Sequence, residues 1–260
     1  MDGSVVDDCL AYGSTNATHQ RRLKIILFSE INSPFGYDFL IELSRHDSVQ
    51  IVGLVTQPDD RRCEYYQEEP DAVNIKAEAS ERGIPVLQPE RVNEAASSLA
   101  LFDADYFIVA NYQQILDRQV FELPRRFTLN FHPSLLPAYA GLWPFFWMAQ
   151  NHERESGVSA IAINEIIDGG DIVEQIRIPL GGDESEDELR TIHFSASLTL
   201  LRNVIGRLQT LKREEFKKQD FSKRSYYSRR DFALAGGLKE TGHYSNRRRQ
   251  SIGMSLRLND

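Results

Sequence analysis

The sequence predicts an α/β protein built on a parallel, doubly wound sheet. Three observations carry that reading. Short apolar runs recur from residue 23 to residue 131, segments with helical spacing alternate with them, and turn signals separate the two kinds. The 260 residues are 41% apolar and 26% charged, an ordinary globular composition that allows a sizeable core and excludes fibrous and wholly disordered classes.

The elements follow in order. Leu23–Phe28 (LKIILF) is a mostly apolar run, as expected of a strand buried on both faces. Tyr37–Leu43 has helical spacing after a Ser33-Pro34 start signal. Val49–Thr56 reads as a second strand, Ala72–Arg82 as a helix stopped by Gly83, and Ile84–Leu87 as a short strand. Tyr106–Ala110 and Phe127–Phe131 are a fourth and a fifth strand. The pattern then changes. Pro137–Gly141 is a turn, Leu142–Asn151 an aromatic helix, and Gly157–Ile163 and Asp171–Pro179 are strands joined through Asp168-Gly169-Gly170. Glu184–Leu211 is a long amphipathic helix whose acidic start suits the positive end of a helix dipole.

Residues 1–20 are expected to form a disordered leader, residues 21–211 the main domain, and residues 212–260 a basic, partly ordered tail. The last 50 residues hold 13 Lys/Arg against 6 Asp/Glu, a net of +7, so the first 210 carry a net of −15. An acidic body of this kind does not suit a general nucleic-acid binder. No run of about 18 apolar residues exists, and the polar N-terminus is not a secretory signal, so no membrane partner is expected. Cys9 and Cys63 form no disulfide framework, and a reducing cytoplasm is the expected location.

Three polar residues stand out. Asn130 and His132 interrupt and end the apolar run FTLNF, and two positions apart on a strand they share a face. At the end of a sheet strand they would point into the crevice where open α/β sheets bind ligands. Asp168 precedes two glycines in a tight turn. Imidazole exchanges protons near neutral pH, a carboxamide can donate to a developing oxyanion, and a carboxylate can orient the imidazole. The bland alternative is a capped strand end and a turn aspartate. Other chemistries lack their signatures. No GxGxxG follows the first strand, no GxxxxGK[ST] or GxSxG is present, and no His/Cys cluster has metal-ligand spacing, so no metal is expected. Ser134, close to His132, is not in a nucleophile elbow.

The run Asn130-Phe131-His132-Pro133-Ser134-Leu135-Leu136-Pro137, followed by Gly141, Gly157-Val158 and Asp168-Gly169-Gly170-Asp171, resembles the folate-dependent formyltransferases. That family includes methionyl-tRNA formyltransferase, glycinamide ribonucleotide transformylase and sugar N-formyltransferases. The likeness extends over residues 23–211 and includes Val55–Asp59, Gly83–Val86 and Ala110–Leu116. It implies a Rossmann-like catalytic domain with a short C-terminal appendage, using 10-formyltetrahydrofolate as formyl donor. Asn130, His132 and Asp168 match the family's catalytic triad. Through them an amine would attack the formyl carbon directly, Asn130 and His132 stabilising the oxygen and His132 and Asp168 managing the proton. The same resemblance has the backbone of Gln114, Ile115 and Leu116, with that of Asn164, Glu165, Ile166 and Ile167, lining the pterin pocket.

The acceptor expected from the sequence is a small-molecule amine such as an amino-sugar nucleotide. Methionyl-tRNA ranks behind it, because Asp59–Glu69 carries five carboxylates against two arginines and would repel a phosphate-rich stem. About 50 residues after Leu211 are also few for the second domain typical of the tRNA branch. Two further rivals are a formyltetrahydrofolate hydrolase and a folate-binding non-enzyme. Ser134, Tyr226, Tyr227 and Arg229 are candidate acceptor contacts, the tail tyrosines and arginine as stacking and diphosphate groups, with packing as their plain alternative. A homodimer is allowed for.

Overall fold

The computed structural model describes residues 21–66 and 73–236. The expected leader and the end of the expected tail lie outside the described residues. In chain order the elements are β1 (Leu23–Phe28), α1 (Pro34–Ser44), β2 (Val49–Val55), α2 (Ile75–Glu81), β3 (Val86–Leu87), α3 (Ala96–Ala100), β4 (Tyr106–Val109) and α4 (Arg118–Phe121). There follow β5 (Phe127–His132), β6 (Ala140–Gly141), α5 (Pro144–Gln150), β7 (Glu155–Ala162), β8 (Asp171–Pro179), α6 (Glu186–Arg207), β9 (Tyr226–Tyr227) and α7 (Arg229–Leu234).

Seven strands form the main sheet in the order β3-β2-β1-β4-β5-β7-β8. The first five pair in parallel, and β7 and β8 extend the sheet antiparallel. The doubly wound, mostly parallel sheet expected from the sequence is the one observed. Its central strands are continuously apolar because helices cover both faces. On one face Phe35, Phe39 and Leu40 of α1, Ile75 of α2 and Leu200, Leu201 and Val204 of α6 pack on Ile25, Leu27, Leu129 and Phe131. On the other, Leu99 of α3 and Val120 and Phe121 of α4 pack on Ile26, Phe28, Phe107 and Val109. Each fully buried aliphatic side chain contributes about 2 kcal/mol, so this two-sided burial is a main source of the sheet's stability.

Local signals set the helix starts. Ser33 caps α1 by accepting from the Gly36 amide at 3.1 Å, and Pro34 takes the first helical position, where no amide is required. Ser185 and Glu188 form a capping box at α6, and Glu186, Asp187 and Glu188 supply its negative first turn. Three differences from expectation are informative. The second helix begins at Ile75, where Asn74 accepts from the Ala77 amide and caps it. The short α3 and α4 were not expected, since neither exceeds five residues and so neither shows a period. The third is β6 pairing with β9, which ties the C-terminal segment to the turn after β5.

Candidate active site

Along β5, Leu129 and Phe131 join the first core, so Thr128, Asn130 and His132 face the other way. The loop after β7 leaves the sheet level with Thr128, where the Ile163 amide bonds the Thr128 carbonyl at 2.9 Å. It then returns over β5, and Asp168 meets both polar residues. Asn130 Nδ2 donates to Asp168 Oδ1 at 3.2 Å, and His132 Nδ1 lies 3.6 Å from the same oxygen. The Gly141 amide donates to Oδ2 at 2.8 Å. His132 Nε2 lies 2.8 Å from the Tyr139 carbonyl, and a carbonyl only accepts, so Nε2 carries a hydrogen and Nδ1 is turned to the carboxylate. The structure thus brings the three residues singled out in the sequence onto one carboxylate group.

The backbone here is strained. Asn111, Tyr139, Trp143 and Asp168 all have φ between 50° and 58°, in the left-handed region that non-glycine residues avoid. Glycine is required at two positions. Gly141 has φ 93°, and a Cβ there would sit 2.2 Å from the Tyr227 carbonyl oxygen; one on Gly170 would meet the Ala162 oxygen at 1.9 Å.

The expected pocket residues fall on two adjacent loops, which an Arg118–Glu165 ion pair of 3.7 Å links. Ile115, Ile166 and Ile167 are exposed by 66%, 49% and 41%, an unusual concentration of free aliphatic surface that an apolar ligand would cover. Leu116 is buried in the second core beneath them. Gln114 is committed elsewhere, accepting from the Val92 amide at 2.8 Å, and Asn164 closes its own loop through Ile166 and Gly169.

The expected acceptor contacts fare differently. Ser134 is buried, and its hydroxyl donates to the Ala138 carbonyl at 2.7 Å, closing the turn after β5. Tyr227 is stacked between Tyr139 and Trp147, at 5.7 and 4.3 Å between ring centres. Both side chains are engaged within the protein: the first completes a turn and the second packs the C-terminal segment. Arg229 lies over Trp143, which is itself stacked on Phe232 at 4.0 Å. Tyr226 is 45% exposed, with the Arg224 guanidinium 5.5 Å from its ring.

Several residues here were not singled out as site residues in the sequence. Glu30, after β1, is fully buried at the point where the strand order reverses between β1 and β4. It accepts from Gln57 Nε2 at 2.9 Å and from the Gln113 amide at 2.7 Å, and burial pushes its pKa up to about 7. An acidic residue directly after a buried strand was the available clue. Gly141, Gln219 and Arg224 act through or upon backbone atoms, which leave no mark in composition. Among the described residues no group of three His, Cys, Asp or Glu side chains could hold a metal, and no helix is long and apolar enough to cross a membrane.

A sheet of this order, with three polar residues gathered at the end of its fifth strand and on the returning loop, defines a doubly wound α/β domain with a candidate ligand crevice at its strand ends. Comparison with known proteins makes the class specific. The profile of the family described as formyl transferase matches residues 23–204. A methionyl-tRNA formyltransferase from a Cyanothece species is 33% identical over 203 residues, covering 72% of this chain and 60% of that protein. Among solved structures, an N-formyltransferase from Helicobacter canadensis, in complex with folinic acid and dTDP-3-aminofucose, is 23% identical with a TM-score of 0.60, covering 80% of this chain and 72% of that one. A phosphoribosylglycinamide formyltransferase from Anaplasma phagocytophilum reaches a TM-score of 0.63 at 16% identity, covering 80% of this chain and 100% of that one. This chain belongs to the formyl transferase family of enzymes. It spans about 60% of the length of the curated relatives it matches.

Proposed function

We propose that this chain transfers a formyl group from 10-formyltetrahydrofolate to a primary amine, with Asn130, His132 and Asp168 as its catalytic residues. The observation that carries the reading is the meeting of Asn130 Nδ2 and His132 Nδ1 at Asp168 Oδ1. The bound donor supplies an activated formyl group. The residues of the two adjacent loops fit such a donor: Ile115, Ile166 and Ile167 offer apolar surface beside the triad, and Leu116 supports them.

Asn130 spends one amide hydrogen on Asp168 and keeps the other for the oxygen on which charge develops. A proton on His132 Nδ1 adds a second donor there. Asp168 would keep that imidazolium paired and accept the proton that the attacking nitrogen gives up; as the bond between the formyl carbon and the donor nitrogen breaks, the His132 Nδ1 proton would pass to that nitrogen, so that tetrahydrofolate leaves neutral.

For the acceptor, the relatives favour methionyl-tRNA. Several that carry that name are 33–34% identical to this chain, whereas the amino-sugar complex lies at 23%. This reverses the order expected from the sequence alone. One observation keeps the amino-sugar nucleotide as a second reading. On the rim after β2, Arg61 is paired with Glu90 and Lys76 with Asp59, so two of its cations are already engaged rather than turned to phosphates.

The test is tetrahydrofolate release from 10-formyltetrahydrofolate with methionyl-tRNA, with a dTDP-amino sugar, and with no amine. Release that requires one of the amines and is lost in His132→Ala supports formyl transfer and identifies the acceptor. Release without any amine makes the protein a hydrolase, and no release in any arm refutes the proposal.

A further inference from the structure

The turn that carries Asp168 has no ladder to hold it. The Gly169 amide bonds the Ile166 carbonyl at 2.9 Å, but the carbonyls from 167 to 170 are all met by side chains. Asn164 takes the Gly169 carbonyl at 3.2 Å. The other three are held from the C-terminal segment. Arg224 Nη2 donates to the Ile167 carbonyl at 2.6 Å, and Gln219 Nε2 donates to those of Asp168 and Gly170 at 2.8 and 2.7 Å. Both contacts of Gln219 are to carbonyls, so its amide orientation is fixed by chemistry: only the NH₂ group can donate.

The placement is built in. Lys217 and Ile172 exchange backbone hydrogen bonds, both 2.8 Å, as an antiparallel bridge. Two residues further along the segment, and two back along the other strand, Gln219 comes opposite Gly170. The segment then runs on to β9, where Tyr227 pairs with Gly141, whose amide holds the second carboxylate oxygen of Asp168. One stretch of chain therefore fixes Asp168 from both sides, its strained backbone through Gln219 and its carboxylate through Gly141.

We infer that Gln219 is a positioning residue of the active site, holding the Asp168 turn so that its carboxylate meets Asn130 and His132. The inference rests on the proposed catalytic role of Asp168 and extends it to a residue that touches neither substrate. Removing the amide frees two carbonyls and lets a left-handed aspartate relax, and a misplacement of about 1 Å at such a group costs roughly 100-fold in turnover.

The experiment compares Gln219→Ala, the isosteric Gln219→Glu and, as a control on the same segment, Lys218→Ala, whose exposed side chain pairs with Asp171. Two readouts are taken on folded protein: kcat and KM for formyl transfer, and the NMR resonance of the His132 ring in the protein without substrates. Both Gln219 variants are expected to lower kcat by roughly 100-fold with KM little changed. They should also move the His132 resonance in the direction that Asp168→Asn moves it, while Lys218→Ala leaves both readouts at wild type. The resonance does not depend on turnover. If the wild-type protein transfers no formyl group yet the resonance moves, the proposed function fails and the positioning role stands. An unchanged resonance in both Gln219 variants, or a rise in KM alone, overturns the inference.

Discussion

Replacing Glu30 by Gln tests whether the crossover point of the sheet holds a carboxyl at an energetic cost. Burial raises its pKa from 4.5 to about 7, outweighing the hydrogen bonds from Gln57 and Gln113 that favour the charged form. A raised folded-state value means that the folded protein prefers the protonated group. Its stabilising effect is whole below the unfolded pKa of 4.5 and is lost as the pH rises through about 7. Between pH 5 and pH 8.5 the loss integrates to about 2.5 kcal/mol, at about 1.4 kcal/mol per pH unit of difference. A glutamine at 30 keeps the acceptor for the Gln113 amide but has no proton to lose. The assay is urea unfolding of both proteins across that range, taking the difference of their free energies at each pH so that all other titrating groups cancel. The stability of the natural protein relative to the variant should fall by about 2.5 kcal/mol as the pH rises. A difference that stays flat, or that grows with pH, refutes the reasoning and shows Glu30 to be well solvated by its amide partners.

Two further predictions concern the C-terminal segment. Gly141→Ala puts a methyl group against the Tyr227 carbonyl at a φ of 93°, so β6 and β9 should separate and the Asp168 carboxylate lose its amide. Turnover is expected to drop by roughly 100-fold while circular dichroism stays that of a folded protein, and wild-type turnover would mean that this amide is dispensable. Tyr227→Ala removes a ring sandwiched between Tyr139 and Trp147 and should cost about 3 kcal/mol, a fall in melting temperature of roughly 6–12 °C. Tyr227→Phe should melt with the wild type, since the stack uses the ring and not the hydroxyl; equal losses in both variants would refute a packing role.

What the sequence discloses depends on how a residue acts. Runs such as Leu23–Phe28 and Tyr106–Val109 are legible because a strand covered on both faces must be apolar throughout. Asn130 and His132 are legible for the complementary reason, as polar groups on a strand whose alternate residues are core. The direction of β7 and β8 is not legible. Apolar alternation has no polarity, and only the short connection between them, residues 163–170, requires an antiparallel return. The pairing of β6 with β9 joins residues 86 apart through two positions each, too short to leave a pattern. The internal contacts of Ser134 and Tyr227 were not legible, because a hydroxyl or an aromatic ring reads the same in sequence whether it faces a ligand or a neighbour.

The position of the site follows from what covers each face of the sheet. Helix α6 extends the first core across β7 and β8, so Leu129, Phe131, Val158 and Val173 are sealed on that side. On the second face α3 and α4 stop short. The core they cover reaches Val109, the register neighbour of Asn130, and β5 lies at its margin. Past Thr128, whose hydroxyl donates to the Phe121 carbonyl of α4, that face of β5 meets the turn after β5, the loop after β7 and the C-terminal segment. Asn130 and His132 therefore meet the Asp168 loop and the Tyr139 carbonyl and not a packed helix, where an unpaired Asn or His would cost several kcal/mol. A strand end and loops from distant parts of the chain can hold Asn130, His132 and Asp168 in register only if something pins them together. The pins are the Gly141 amide on Asp168, the Gln219 amide on the Asp168 turn and the Tyr139–Tyr227–Trp147 stack. On this architecture, substitutions in the C-terminal segment reach Asn130, His132 and Asp168 through the backbone of the Asp168 turn and of Gly141, to which Gln219, Arg224 and Tyr227 are bonded.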